Sequence, residues 1–184
     1  MKKAALALLI IFIISLSSCS VSPSADELCD KLSVSLSEAQ SLSVTAQVRA
    51  DHGERVYDFL LRYEKSGSSP SVTILEPDCV SGITARIAED GVTLIYDGAE
   101  IYTGYLTDSG LSPAAVLPLA VSAWENGLLT SARLEGGWLI TEHYISEDVS
   151  LVSRFDADTL VPAEAELFSA GYRCIDAVFE DFVM

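Results

Sequence analysis

Between Leu42 and Ala50 the chain alternates strictly: Leu42, Val44, Ala46, Val48 and Ala50 are apolar, and Ser43, Thr45, Gln47 and Arg49 between them are polar. A period of two is that of a strand with one buried face. Upstream the period is longer. Leu28, Leu32, Leu36 and Ala39 recur at helical spacing with Cys29 beside them, and Ser24 stands three residues before Glu27, the spacing of a capping box. These positions predict an amphipathic helix of about four turns ending near Ser41.

Period two then continues. Asp51-His52-Gly53-Glu54 supplies a turn, and a return strand places Tyr57, Phe59, Leu61 and Tyr63 on one face and Asp58, Arg62 and Glu64 on the other. Ser66-Gly67-Ser68-Ser69-Pro70 breaks the chain. Short strands are predicted at Val72–Leu75, Ile83–Ala88, Val92–Tyr96 and Ile101–Tyr105, divided by Glu89-Asp90-Gly91 and Asp97-Gly98. Ser112-Pro113 opens a second helical piece with Leu117, Val121 and Trp124 as its apolar stripe, and Asn126-Gly127 ends it. Pro118 predicts a break or restart within it. Strands resume at Leu128–Leu134, Trp138–His143, Val149–Phe155, Leu160–Ser169 and Tyr172–Phe182. The sum is an α+β chain: one antiparallel sheet of nine to eleven strands that two helices interrupt rather than alternate with, which excludes a doubly wound fold.

The N-terminus changes the picture. Met1-Lys2-Lys3 is basic, Ala4 to Ile14 is apolar, and Leu16-Ser17-Ser18-Cys19 follows. Spanning a bilayer takes about 20 apolar residues; this shorter run reads as a secretory signal. Leu16-Ser17-Ser18-Cys19 resembles a bacterial lipobox. That resemblance implies a signal peptide over residues 1–18, lipid attachment at Cys19, a tether over 19–23 and a single domain over 24–184. Ser20 after Cys19 leaves delivery to an outer membrane open in a two-membrane host.

Removing the signal leaves 184 − 18 = 166 residues, with 11 − 2 = 9 basic against 27 acidic side chains, a net charge of −18. Such a surface repels phosphate backbones and anionic headgroups, so no nucleic-acid partner is expected and acyl chains must provide the membrane attachment. Cys29, Cys79 and Cys174 remain beside Cys19. Three allow at most one internal bridge, and Cys79 with Cys174, near strand ends, is the pair that would need testing. Only two histidines, His52 and His143, and no CxxC argue against a metal or other cofactor.

No catalytic set emerges. Asp156 and Asp158 fall in a turn, where Asp bonds the local backbone. His143 lies on the strand face opposite Trp138 and Ile140, His52 is in a turn, and Gly136-Gly137 lacks the helix and Lys of a phosphate loop. The expectation is a non-enzymatic protein.

The order of elements resembles the LolA/LolB-like fold. The local match is Phe155-Asp156-Ala157-Asp158-Thr159-Leu160-Val161-Pro162-Ala163-Glu164-Ala165-Glu166, continuing through Gly171-Tyr172-Arg173 to Phe179-Glu180-Asp181-Phe182, with Gly82 to Ile101 similar to that family's middle strands. The resemblance implies a curved, incomplete barrel with a mid-chain helical plug and an apolar hollow. Family members ferry lipoproteins, hold lipids or sense the envelope. The chain is therefore expected to be a monomeric extracytoplasmic lipoprotein, anchored to the cell membrane, that binds a lipid or lipidated ligand. The alternative is an envelope sensor or protein-interaction module with a filled core. The residues expected to face the ligand are Tyr57, Phe59, Leu61, Tyr63, Tyr96, Trp124, Trp138 and Phe179, although each such side chain is by type more often core than ligand contact.

Overall fold

The computed structural model describes residues 23–51, 53–67, 70–88, 91–104 and 112–184. The expected signal segment, Cys19, His52 and Tyr105 lie outside the described residues. Helix α1 (Ala25–Glu38) starts on the expected capping box: the Ser24 hydroxyl accepts from the Glu27 amide at 3.3 Å, and the Glu27 carboxylate accepts from the Ser24 amide at 2.8 Å. Such a cap stabilises a helix by about 0.5–2 kcal/mol. Leu28, Leu32 and Leu36 are its buried stripe.

Eleven strands follow. They are β1 (Ser41–Asp51), β2 (Val56–Ser66), β3 (Ser71–Glu76), β4 (Thr84–Ala88), β5 (Gly91–Tyr96), β6 (Ala99–Gly104), β7 (Leu128–Glu135), β8 (Trp138–Ser146), β9 (Val149–Asp156), β10 (Pro162–Ser169) and β11 (Tyr172–Val183). They form one antiparallel sheet in the order β6-β5-β4-β3-β2-β1-β11-β10-β9-β8-β7. The first and last strands pair at its centre, and β6 and β7 are its free edges, so the sheet is an incomplete barrel. Between the edges the chain passes through a 3-10 turn (Pro113–Ala115) and helix α2 (Val116–Asn126). The Asp97-Gly98 turn takes φ of 48° and 77°, the two left-handed residues of a type I′ hairpin.

Pairing fixes which side chains share a face, because residues opposite each other in register point the same way. From Leu42, Val44, Ala46, Val48 and Ala50 the inner face runs through Tyr63, Leu61 and Phe59 of β2 to one side, and through Phe182, Phe179, Ala177 and Ile175 of β11 to the other. Ala165 and Leu167, then Leu151, Ser153 and Phe155, then Leu139, Thr141 and His143 continue it. Helix α1 packs on α2 and over β7 and β8, while α2 leans on β11. Trp124 of α2 is the centre of this core: its indole N–H donates to Ser153 Oγ at 2.9 Å, and its ring meets Phe155 and Phe179 edge-on at 5.0 and 5.5 Å. Edge-on aromatic pairs add about 0.5–1.5 kcal/mol beyond their burial.

Helix α2 departs from expectation in one respect. Pro118 does not break it; it is the third residue of the helix, in the first turn, where an amide has no intrahelical partner to lose. The restart comes earlier, where the 3-10 turn gives way to helix at Val116. Gly127, at the end, has φ of −71°, so its requirement is space: a Cβ there would sit 2.5 Å from the carbonyl oxygen of Ala123.

Each edge strand carries a bulge. Thr130 interrupts the β7–β8 register and its hydroxyl donates to the Glu142 carbonyl at 3.0 Å. Thr103 does the same between β5 and β6, donating to the Val92 carbonyl at 3.1 Å.

His143 is buried, and its Nδ1 has no hydrogen-bond partner among the described residues. Burial holds its pKa below the ordinary 6.5, because the charged form would lose its solvation. The folded chain therefore refuses a proton that the unfolded chain takes up below about pH 6.5. Folding stability should be full above that pH and fall as pH drops through it. Urea unfolding at pH 7.5 and pH 5.5 should show this loss, and His143→Gln should show a smaller one.

Candidate functional site

The inner face has two halves. On β8–β11 and β1 it is covered by the helices. On β2–β6 the same alternation continues beyond them: Leu61 pairs with Ile74, Val72 with Ala85, Ile87 with Val92, and Ala85 with Leu94, which brings Tyr96 and Ile101 to the same side. Apart from Lys65 the described residues of this wall are apolar; Val72, Ala85 and Val92 are buried, Ile74, Ile87 and Leu94 are part-buried, and the far end is open, with Tyr96 55% and Ile101 63% exposed. Apolar side chains on the core-facing parity of a sheet, left in water, are the feature that needs a functional reason.

The boundary between the halves is held by charge. Lys65, the wall's one charged side chain at an inner position, is paired at 2.5 Å with Glu125 near the end of α2. Ser33 of α1 donates its hydroxyl to the Glu125 carbonyl at 2.6 Å. Both helices and β2 are thus joined at one point. Beside it, burial, and then the Glu125 carboxylate, push the Tyr63 phenol up to about 12, so it stays protonated. Among the described residues the wall's inner positions therefore carry no cation outside this ion pair.

The expected ligand-facing residues separate into three groups. Tyr57, Phe59 and Tyr96 lie on the open wall, Tyr57 and Phe59 stacked with ring centroids 6.5 Å apart. Leu61, Tyr63 and Trp124 are buried at 1%, 3% and 3% exposure, and Phe179 packs on Trp124. Trp138 is on the other side of the sheet, which corrects its assignment: it pairs with Asp156 on the outer face, and the Arg154 guanidinium covers its ring at 4.7 Å. The β8 pattern Trp138-Leu139-Ile140-Thr141-Glu142-His143 offers an apolar residue to either face. Pairing with β9 selects the parity of Leu139, so Thr141 and His143 go inward despite their polarity. Ile74, Ile87, Leu94 and Ile101 belong to the wall and were not among the expected residues; the signal that could have found them is register, since each shares a face with Tyr57, Phe59 or Tyr96.

Asp156, Cys29 and Cys174 are each engaged or muted. Asp156 Oδ1 accepts from the Thr159 amide and hydroxyl, both at 2.8 Å, and from the Asp158 amide at 3.2 Å, which hold its carboxyl below the usual range. Burial, then Asp26 and Asp30, push the Cys29 thiol up to about 11, far from a thiolate at neutral pH. Cys79 is exposed, Cys174 donates its thiol to the Leu167 carbonyl, and neither is bridged. Among the described residues, no three His, Cys, Asp or Glu side chains gather as for a metal, and no helix is long and apolar enough to cross a membrane.

No protein-family profile matches the sequence, and no curated protein matches it. Known structures do resemble the fold. An uncharacterized conserved protein from Thermus thermophilus aligns with a TM-score of 0.52 and 11% identity, over 86% of each chain. A chain from the complex of the Clostridioides difficile CwlD amidase with the GerS lipoprotein aligns at 0.50 and 19%, over 86% of this chain and 95% of that one. A LolA superfamily protein from Nitrosomonas europaea aligns at 0.44 and 12%, over 88% and 94%. The open antiparallel sheet with an N-terminal and a mid-chain helix, which the LolA/LolB resemblance implies, is the architecture found.

The two halves should respond differently to truncation. Leu61→Ala, in packed core, should cost about 2–5 kcal/mol, and Ile101→Ala, on the open wall, should stay within about 0.5 kcal/mol, both measured by urea unfolding.

Proposed function

We propose that the chain is an extracytoplasmic lipoprotein, anchored to the cell membrane through Cys19, that holds an acyl chain of a lipid or lipidated molecule against the open half of its inner wall. The exposure of Tyr96 and Ile101 on a face that is elsewhere core carries this reading. Tyr57 and Phe59 line the near end of the same surface, and Ile74, Ile87 and Leu94 line its floor. Each methylene taken from water contributes about 0.8 kcal/mol, so eight of them against this wall would offer roughly 6 kcal/mol before the cost of ordering the chain. Because Lys65 is committed to Glu125, recognition rests on the hydrocarbon and not on a headgroup charge.

A second reading is an envelope sensor or protein-interaction module with a filled interior. The close packing of Leu61, Tyr63, Trp124 and Phe179 favours it for the helix-covered half, and a chain of similar fold occurs in the complex of an amidase with a lipoprotein. The readings differ on the wall. An environment-sensitive fluorescent fatty-acid probe should brighten with the wild-type chain, and Tyr96→Asp with Ile101→Asp should weaken its binding tenfold or more, about 1.4 kcal/mol, without lowering the urea midpoint. Equal binding by the double variant would remove the lipid reading and leave the second.

The anchor is tested separately. Labelled palmitate should be incorporated into the chain in bacteria, and Cys19→Ser should abolish the label and move the protein from the membrane to the soluble fraction.

A further inference from the structure

A second surface lies away from the wall, at the end of the sheet where α2, β8 and the β8–β9 turn meet. Tyr144, 48% exposed on the outer face, is a side shared by two open hollows of about 260 and 280 Å³. The first runs from Tyr144 to Leu119, Ala123 and Gly127 of the α2 end, with Ser122 and Asn126 offering polar groups. The second runs from Tyr144 to Val149, Ala170 and Gly171, with Ser146, Ser150 and Asp148 as its polar side. Leu128, directly opposite Tyr144 in register, is 65% exposed, so the ridge between water and hollow is apolar on both strands.

The charged side chains that line this surface or stand beside Tyr144 on β8 and its turn are acidic, and Arg133 on the adjacent β7 is paired with Glu135. Asp148 lines the second hollow, Glu147 precedes it in the turn, and Glu142 stands two residues before Tyr144 on the same face. None of the three takes part in the ion pairs found among the described residues, and no Lys or Arg lines either hollow. Arg173, on the neighbouring β11, is taken up by Glu166 at 2.5 Å. Glu142 accepts from the Ser131 hydroxyl at 3.4 Å, and carboxylates outside any ion pair around an apolar ridge complement a partner that brings its own cations. The ridge also divides the space into two volumes of side-chain size, where a single hydrocarbon tail would need one continuous groove.

From this geometry we infer that the Tyr144 surface docks a segment of another protein that presents apolar side chains flanked by Lys or Arg. The inference is independent of the lipid reading: it uses the other end of the sheet, around β8 and the end of α2, and different residues.

The full-length chain carrying the photo-crosslinker p-benzoylphenylalanine in place of Tyr144, and separately in place of Leu128, tests it in the cells that make the protein. Arg62, on the outer face of β2, is the control position. Both test positions should capture one protein, and the crosslinked peptide should hold apolar residues with Lys or Arg beside them. Glu147→Lys with Asp148→Asn, which the left-handed backbone at position 148 (φ 65°) accepts, should cut the yield about tenfold, and Glu142→Lys should reduce it too, with the thermal midpoint of each variant unchanged. No capture, capture of lipid or of an acidic segment, capture equal to that at position 62, or a yield indifferent to both charge changes in folded protein would each overturn the inference. The fatty-acid probe assay should be unaltered in all these variants, so failure here and failure of the lipid reading are distinguishable.

Discussion

Ten strand-to-strand steps of about 4.8 Å lay a sheet out over about 48 Å, while two packed helices of about 10 Å diameter shield about 20 Å of it. Most of what is distinctive in this chain follows from that mismatch. The inner alternation of β1 and β11 extends into β2–β6, but the main packing of α1 and α2 is on each other, on β11 and on β7–β8. Where helix lies over the sheet, Trp124, Phe155 and Phe179 make a dry core. Beyond it Val72, Ala85 and Val92 are still buried, and at the far end Tyr96 and Ile101 are left facing water.

The polar groups at the boundary suit this division. Ser153 satisfies the indole of Trp124 inside the core, and Lys65, Glu125 and Ser33 tie the helices to β2 at its margin. Glu125 is an acid near a helix C-terminus, where the backbone dipole disfavours it; its ion pair offsets that penalty. The outer face is ordinary by contrast. Arg154 with Glu164 and Arg49 with Asp58 are half-exposed pairs worth at most about 1 kcal/mol each.

The order of elements could be read from the sequence because its signals are local. The Ser24–Glu27 cap, the alternation of Leu42 to Ala50, the Asp97-Gly98 turn and the Asp156 turn each depend on a few neighbouring residues, and each appears where expected. The site was readable only in part, because it depends on what covers a face and not on which face a residue takes. Tyr57 and Tyr63 share one parity on one strand, yet the first is 40% exposed and the second 3%. Trp138 failed for a different reason: its strand is apolar on both parities, and only pairing with β9 decides between them. Pro118 was expected to interrupt a helix that in fact begins two residues before it.

The threonine bulges at the two rims bear on how the molecule behaves in a crowd. An open sheet has two ladders of unsatisfied amides and carbonyls, which ordinarily invite another chain to extend them. Here Thr103 and Thr130 each shift the register and turn a hydroxyl onto the adjacent strand, so neither rim offers a straight template. Copies crowded side by side would find no continuous seam along these two rims on which to polymerise, and the half-open architecture is kept with less of the fibre-forming hazard that such architecture carries.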